Sequence, residues 1–253
     1  MFHEYPILEY DPSPEAVIEP SRVIKSIDIA ENCVICFFAD VITQIIQTRK
    51  PRLVYSCRSE MGTHPVYETE LEGRRIAFFH PGVGAPLAAG MLEEVAALGC
   101  RKFIVCGGAG VLNREIAVGH LIVPTSAIRD EGTSYHYLPP SREVNPSEKA
   151  VAAIENVLKS KDVSYVTGKT WTTDAYYRET AQKVQRRRQE GCLTVEMEAA
   201  AFFAVAKFRG LHLAQILYGG DDVSGLEWDR RGSDRSIIRE RLFWLAAEAC
   251  LEI

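Results

Sequence analysis

The sequence predicts an α/β protein with a largely parallel sheet. Short β-branched runs alternate with longer segments of helical period. Glycines cluster where strands give way to the next segment, the places where open α/β sheets collect ligands. No stretch rich in Pro, Gly or Ser divides the 253 residues, so one domain over 1–253 is expected.

Taken in chain order, the apolar stretch CVICFFADVITQII predicts a helix from about Glu31 to Gln47. Three short strands follow, Arg52 to Cys57, Val66 to Leu71 and Arg75 to Phe79. A helix over Ala85 to Leu98 comes after the glycine turn His80-Pro81-Gly82-Val83-Gly84. The strand Lys102 to Cys106 then runs into a second glycine turn, Gly107-Gly108-Ala109-Gly110. Beyond it lie the strand His120 to Ile128, a helix over Ser147 to Leu158, the strand Ser164 to Gly168 and a helix over Glu179 to Gln189. The strand Leu193 to Val195, a helix over Ala199 to Phe208, the strand His212 to Tyr218 and a helix over Asp234 to Ala249 complete the chain.

A net charge of -5 without a basic stripe argues against a nucleic-acid partner, and the run Lys183 to Arg188 reads as a solvated helix face. The opening MFHEYPILEY lacks the basic and apolar regions of a leader, and no apolar run approaches the roughly 18 residues that span a bilayer. A cytoplasmic protein without a membrane partner is expected. Seven scattered cysteines suit a reducing compartment, and Cys33 and Cys36, though spaced as CxxC, have no second pair to complete a metal site. Two cofactor motifs fail on spacing: Leu87 stands where a GxGxxG needs its third glycine, and Val163 where a P-loop ending at Gly168-Lys169-Thr170 needs its first.

Thr194-Val195-Glu196-Met197-Glu198-Ala199-Ala200-Ala201 passes from a strand into an alanine-rich helix. Strand alternation would set Glu196 and Glu198 on one side, where two carboxylates repel unless a polyol or cation lies between them. Vicinal sugar hydroxyls suit such a pair. A helix start stabilised by its dipole is the simpler structural alternative.

Together these segments resemble the nucleoside phosphorylase family of uridine phosphorylases and hexameric purine nucleoside phosphorylases, over nearly the whole chain. The resemblance rests on Gly82-Val83-Gly84-Ala85-Pro86 through Glu93-Glu94 to Ala97-Leu98-Gly99, on Gly107 to Gly110, on Val118-Gly119-His120 and above all on VEMEAAA. It implies a three-layer α/β/α sandwich around a mixed, partly barrel-like sheet. It also implies an enzyme that cleaves the N-glycosidic bond of a nucleoside with phosphate as co-substrate and no cofactor, giving free base and ribose 1-phosphate.

By the same resemblance Glu198 holds the ribose 2′ and 3′ hydroxyls, Met197 meets the sugar face and Glu196 supports them. Pro20-Ser21-Arg22-Val23 is similar to a turn whose arginine binds phosphate, together with Gly84, Gly107 and Gly108. Phe2-His3 is similar to an N-terminal pair whose histidine reaches the ribose 5′ hydroxyl of a neighbouring subunit, implying a homodimer with shared sites, assembled into a hexamer. Tyr176, Tyr177 and Arg178 fall at the base, with Asp221 or Asp222 as alternatives for neutralising it. Val105 and Gly108 stand where the family carries a phosphate-binding arginine and threonine. Gly132 to Tyr137 makes uridine the first choice of substrate; a purine phosphorylase, a nucleosidase using water and a nucleoside-binding protein without turnover stay open.

Overall fold

The computed structural model describes residues 3–232 and 235–253. Ten strands form one sheet: β1 (Asn32–Cys36), β2 (Arg52–Ser59), β3 (Gly62–Leu71), β4 (Arg74–Phe79), β5 (Lys102–Val111), β6 (Leu121–Asp130), β7 (Glu143–Val144), β8 (Tyr165–Thr173), β9 (Cys192–Glu196) and β10 (His212–Asp222). The helices are α1 (Pro20–Val23), α2 (Ala39–Arg49), α3 (Ala85–Leu98), α4 (Glu148–Ser160), α5 (Ala181–Gln189), α6 (Ala199–Arg209) and α7 (Ser236–Glu252).

β5 is the branch point of the sheet. Its first half pairs with β1, its second half meets β9 at Gly110 and Val111, and β10 runs parallel along almost its whole length. Because β10 also pairs with β6, β6 with β8 and β8 with β9, five strands close into a ring. β1, β4, β3 and β2 extend from that ring as an open sheet. This is the mixed, partly barrel-like sheet expected, with helices on both faces.

The layers follow from side-chain alternation in β1, whose Cys33 and Ile35 join the core under α3 and α6, while Val34 and Cys36 join the core under α2, α4 and α7. A strand buried on both faces carries no polar alternation, which is why the sequence there reads as a helix. The helix expected over Glu31 to Gln47 is therefore a strand followed by a helix, with extended Phe38 between them. Cys33 and Cys36 are buried, as are the five other cysteines.

The second correction concerns Gly107 to Gly110, which form no turn but continue β5 beside β10. Here glycine answers to close packing. A Cβ on Gly108 would lie 2.9 Å from the Tyr218 ring, and one on Gly107 would lie 3.3 Å from the Phe37 ring. The two-residue strand β7, which pairs with β6, was not expected either. The last helix starts at Ser236, and Asp234, where the sequence suggested its beginning, lies outside the described residues.

Candidate active site

β9 ends at Glu196, and α6 begins three residues later. Glu198 has φ -139° and ψ -26°, so strand alternation has stopped before it and does not bring the two carboxylates together. The helix start does so instead. One oxygen of Glu196 accepts from Thr172 Oγ1 at 2.6 Å on β8; the other accepts from the N–H groups of Glu198 at 2.8 Å and Ala199 at 2.6 Å. Glu198 accepts from the N–H of Gly84 at 2.7 Å and of Met197 at 3.3 Å. Gly84 can serve because its φ of 94° suits glycine and sets its N–H at the start of α3.

No Lys or Arg among the described residues forms an ion pair with either carboxylate. Burial therefore raises the Glu196 pKa, and burial followed by the neighbouring Glu196 charge pushes Glu198 up to about 8. Two N–H donors leave lone pairs of Glu198 free for further donors such as vicinal hydroxyls.

Glu196 and Met197 open onto a cavity of about 800 Å³. Its floor is Gly108 to Gly110 of β5, and Phe37 and Phe38 enter from the β1–α2 junction. Tyr176, Tyr177 and Glu179 line a second side, and Asp221 and Trp228 a third. Tyr218 lies over Gly108 and its hydroxyl accepts from Arg239 Nε at 3.2 Å; Arg235 also lines the cavity. Arg239 also pairs with Asp40 on the first turn of α2 at 3.2 Å.

Of the residues singled out from sequence, the fold brings Glu196, Met197, Gly108, Tyr176, Tyr177 and Asp221 to this cavity; Glu198 is buried next to Met197, accepting from its N–H and from that of Gly84, and neither Glu198 nor Gly84 is on the wall. The others stand elsewhere. Arg22, in α1, is exposed and ion-paired with Glu15, because the segment before β1 packs on α3 rather than entering the cavity. Gly107 is buried beneath Phe37. Asp222 points away from the cavity into an ion pair with Arg231 at 2.9 Å; burial raises its pKa, but Ser224 and Arg231 outweigh this and hold it low. Arg178 is exposed and off the cavity wall. His3 is exposed in a separate cleft beside Glu9 and Tyr10, and Phe2 lies outside the described residues.

Sequence reasoning missed Glu179, Tyr218, Trp228, Arg235 and Arg239, together with the Phe37-Phe38 entry. Only Glu179 carried a signal, at the end of Asp174-Ala175-Tyr176-Tyr177-Arg178-Glu179. Among the described residues no group of three His, Cys, Asp or Glu could hold a metal ion, and no helix is long and apolar enough to cross a membrane.

A cavity where strands end, lined by Glu196 without a paired cation and also by Arg235 and Arg239, defines a small-molecule site in an α/β enzyme fold. The chain belongs to the phosphorylase superfamily, whose model matches residues 32–236. It is 29% identical over 172 residues to the guanosine phosphorylase of Halorubrum lacusprofundi, covering 68% of this chain and 70% of that one. Matches to curated uridine phosphorylases span 59–65% of those proteins' length. A crystal structure of uridine phosphorylase from Vibrio fischeri ES114 superposes with a TM-score of 0.76 at 24% identity, over 93% of this chain and 98% of that one. The AMP nucleosidase from Bacteroides thetaiotaomicron VPI-5482 superposes with a TM-score of 0.71 at 24% identity, over 88% and 87%.

Proposed function

We propose that the protein is a nucleoside phosphorylase, which cleaves the N-glycosidic bond with phosphate to give free base and ribose 1-phosphate, with uridine as first choice of substrate. One observation carries this reading: a single cavity is lined both by Glu196 and Met197, the residues before Glu198, and by Gly108, Tyr218 and Arg239, whose guanidinium donates to the Tyr218 hydroxyl. Glycosidic cleavage develops positive charge on the sugar and negative charge on the base, so charge placement is the main catalytic demand. Glu198 would fix the ribose hydroxyls beside Met197. Arg239 and Tyr218 would hold phosphate over Gly108, the stretch of β5 that the family resemblance assigns to phosphate. They would replace the contacts that Val105 and Arg22 do not make in their own chain's cavity, since Val105 is buried in the core under α3 and Arg22 lies outside that cavity. Tyr176, Tyr177 and Asp221 would surround the base.

His3 does not reach the cavity of its own chain, as expected if it serves the site of a neighbouring subunit in a homodimer that shares its sites, and we extend this reading to a hexamer of such dimers. We place the reaction in cytoplasmic nucleoside salvage.

The test is base release from a panel of pyrimidine and purine nucleosides with and without phosphate. Release that requires phosphate and yields ribose 1-phosphate supports the reading, and the favoured base decides between uridine and purine substrates. Release at the same rate without phosphate makes the protein a nucleosidase, the activity named for the Bacteroides neighbour. Binding without release makes it a nucleoside-binding protein.

A further inference from the structure

We propose that Glu179 is the acid that protonates the departing base, an inference that rests on the glycosidic-cleavage reading above. Glu179 lies on the cavity wall between Tyr177 and the start of α5. Among the described residues nothing donates a hydrogen bond to its carboxyl and no cation pairs with it. Of the other acids at or beside the cavity, Glu227 is exposed and the rest are engaged. Glu196 is held by Thr172 and two backbone N–H groups, Glu198 by Gly84 and Met197, and Asp221 by the Trp228 indole N–H at 2.7 Å.

The charged groups facing the cavity from the elements around Glu179 are Asp221 at the end of β10 and Glu227 after it, Glu196 on β9, and Arg230, Arg235 and Arg239 before and on α7. On α5, which follows Glu179, Lys183 is turned to Asp130 at 3.2 Å. Of these, Asp221 bears on Glu179 and carries the same sign. Burial first, and Asp221 second, push the Glu179 carboxyl up to about 7, so near neutral pH it keeps a proton to give, the condition for general acid catalysis.

The step balances simply. The C1′–N bond breaks with its electron pair passing to the base, the base takes the Glu179 proton at a ring nitrogen or at an oxygen conjugated to it, and a phosphate oxygen bonds to C1′. The proton released from hydrogen phosphate restores Glu179 through solvent.

The experiment compares wild type, Glu179→Gln and Glu179→Asp on the nucleoside that the wild type cleaves best and on 4-nitrophenyl β-D-ribofuranoside, whose leaving phenolate needs no proton. Glu179→Gln should lower kcat/KM on the nucleoside by roughly a hundredfold, the lower range for a lost general acid, and leave the nitrophenyl riboside nearly unchanged. The wild-type nucleoside rate should fall as pH rises through about 7, a limb that Glu179→Asp keeps and Glu179→Gln loses. Equal slowing of both substrates by a folded Glu179→Gln overturns the assignment while leaving the cleavage reading intact. A wild type that cleaves neither substrate overturns both.

Discussion

Two buried pairs of glutamates sit at opposite ends of α6, and they differ in one respect. At its C-terminal end, Glu19 and Glu93 converge on Arg209, which pairs with Glu19 at 2.8 Å and Glu93 at 2.7 Å. At its N-terminal end, Glu196 and Glu198 are equally buried, with 7% and 6% of their surface exposed, and among the described residues no cation pairs with them. The first pair fastens the segment before β1 to α3 and α6. The second is held by neutral donors and carries raised pKa values, the condition that marks a site awaiting a ligand rather than a completed contact.

Removing the shared cation should have the largest effect. Arg209→Met leaves two buried carboxylates without a counter-charge and should cost about 3–5 kcal/mol of stability, measured by chemical denaturation, while the folded fraction keeps its kcat. A loss below about 1 kcal/mol would mean that the pair at this end is no more dependent on its cation than an exposed ion pair, and the contrast between the two ends would collapse.

Glu198→Gln should act in the opposite sense on the two observables. Turnover should fall by roughly a hundredfold, about 3 kcal/mol, if the carboxylate supports charge that develops in the transition state. Stability should rise with pH relative to wild type. Glu198 has its folded pKa raised from 4.5 to about 8, so its contribution to stability is complete below about pH 4.5 and is lost as pH rises through about 8. The variant should therefore melt above wild type near about pH 9, with the gap closing by about pH 5. A gap that does not change with pH would show that the carboxyl titrates normally in the folded chain.

The difference between the pairs also explains what the sequence revealed. VEMEAAA was legible because a strand ending in two acids before a run of alanines is a local pattern. The reason inferred for the pairing was wrong, since Glu198 has already left the strand. Arg209 and its two partners were illegible because Glu19 lies 190 residues away along the chain. The same holds at the cavity wall where Gly108, Tyr218 and Arg239 come together from β5, β10 and α7. There the sequence showed only that Val105 and Gly108 lack the family's donors, and the glycines looked like a turn because close packing against Tyr218 cannot be read from one strand. The Phe37-Phe38 entry was hidden for another reason, the doubly buried β1, which has no periodicity to separate it from α2.

Arg22 gives the smallest expected effect and the sharpest check on how far resemblance can be carried in this chain. It is 61% exposed and pairs with Glu15, itself 63% exposed, and such a pair contributes no more than about 1 kcal/mol because both charges are solvated and screened. Arg22→Ala should therefore leave stability within that range. If Arg22 nevertheless bound phosphate in its own chain's site, losing a charge-assisted bond would weaken phosphate by about 1.5–3 kcal/mol, a tenfold or greater rise in the KM for phosphate. The cavity has no wall contributed by α1, so the expected result is an unchanged KM for Arg22→Ala beside a tenfold or larger rise for Arg239→Ala in the same assay. The reverse outcome would return the anion site to the position the resemblance assigned. Because Arg22 does not reach the cavity of its own chain, that result would require it to act in the cavity of a neighbouring subunit, and activity should then fall when the assembly is diluted into monomers.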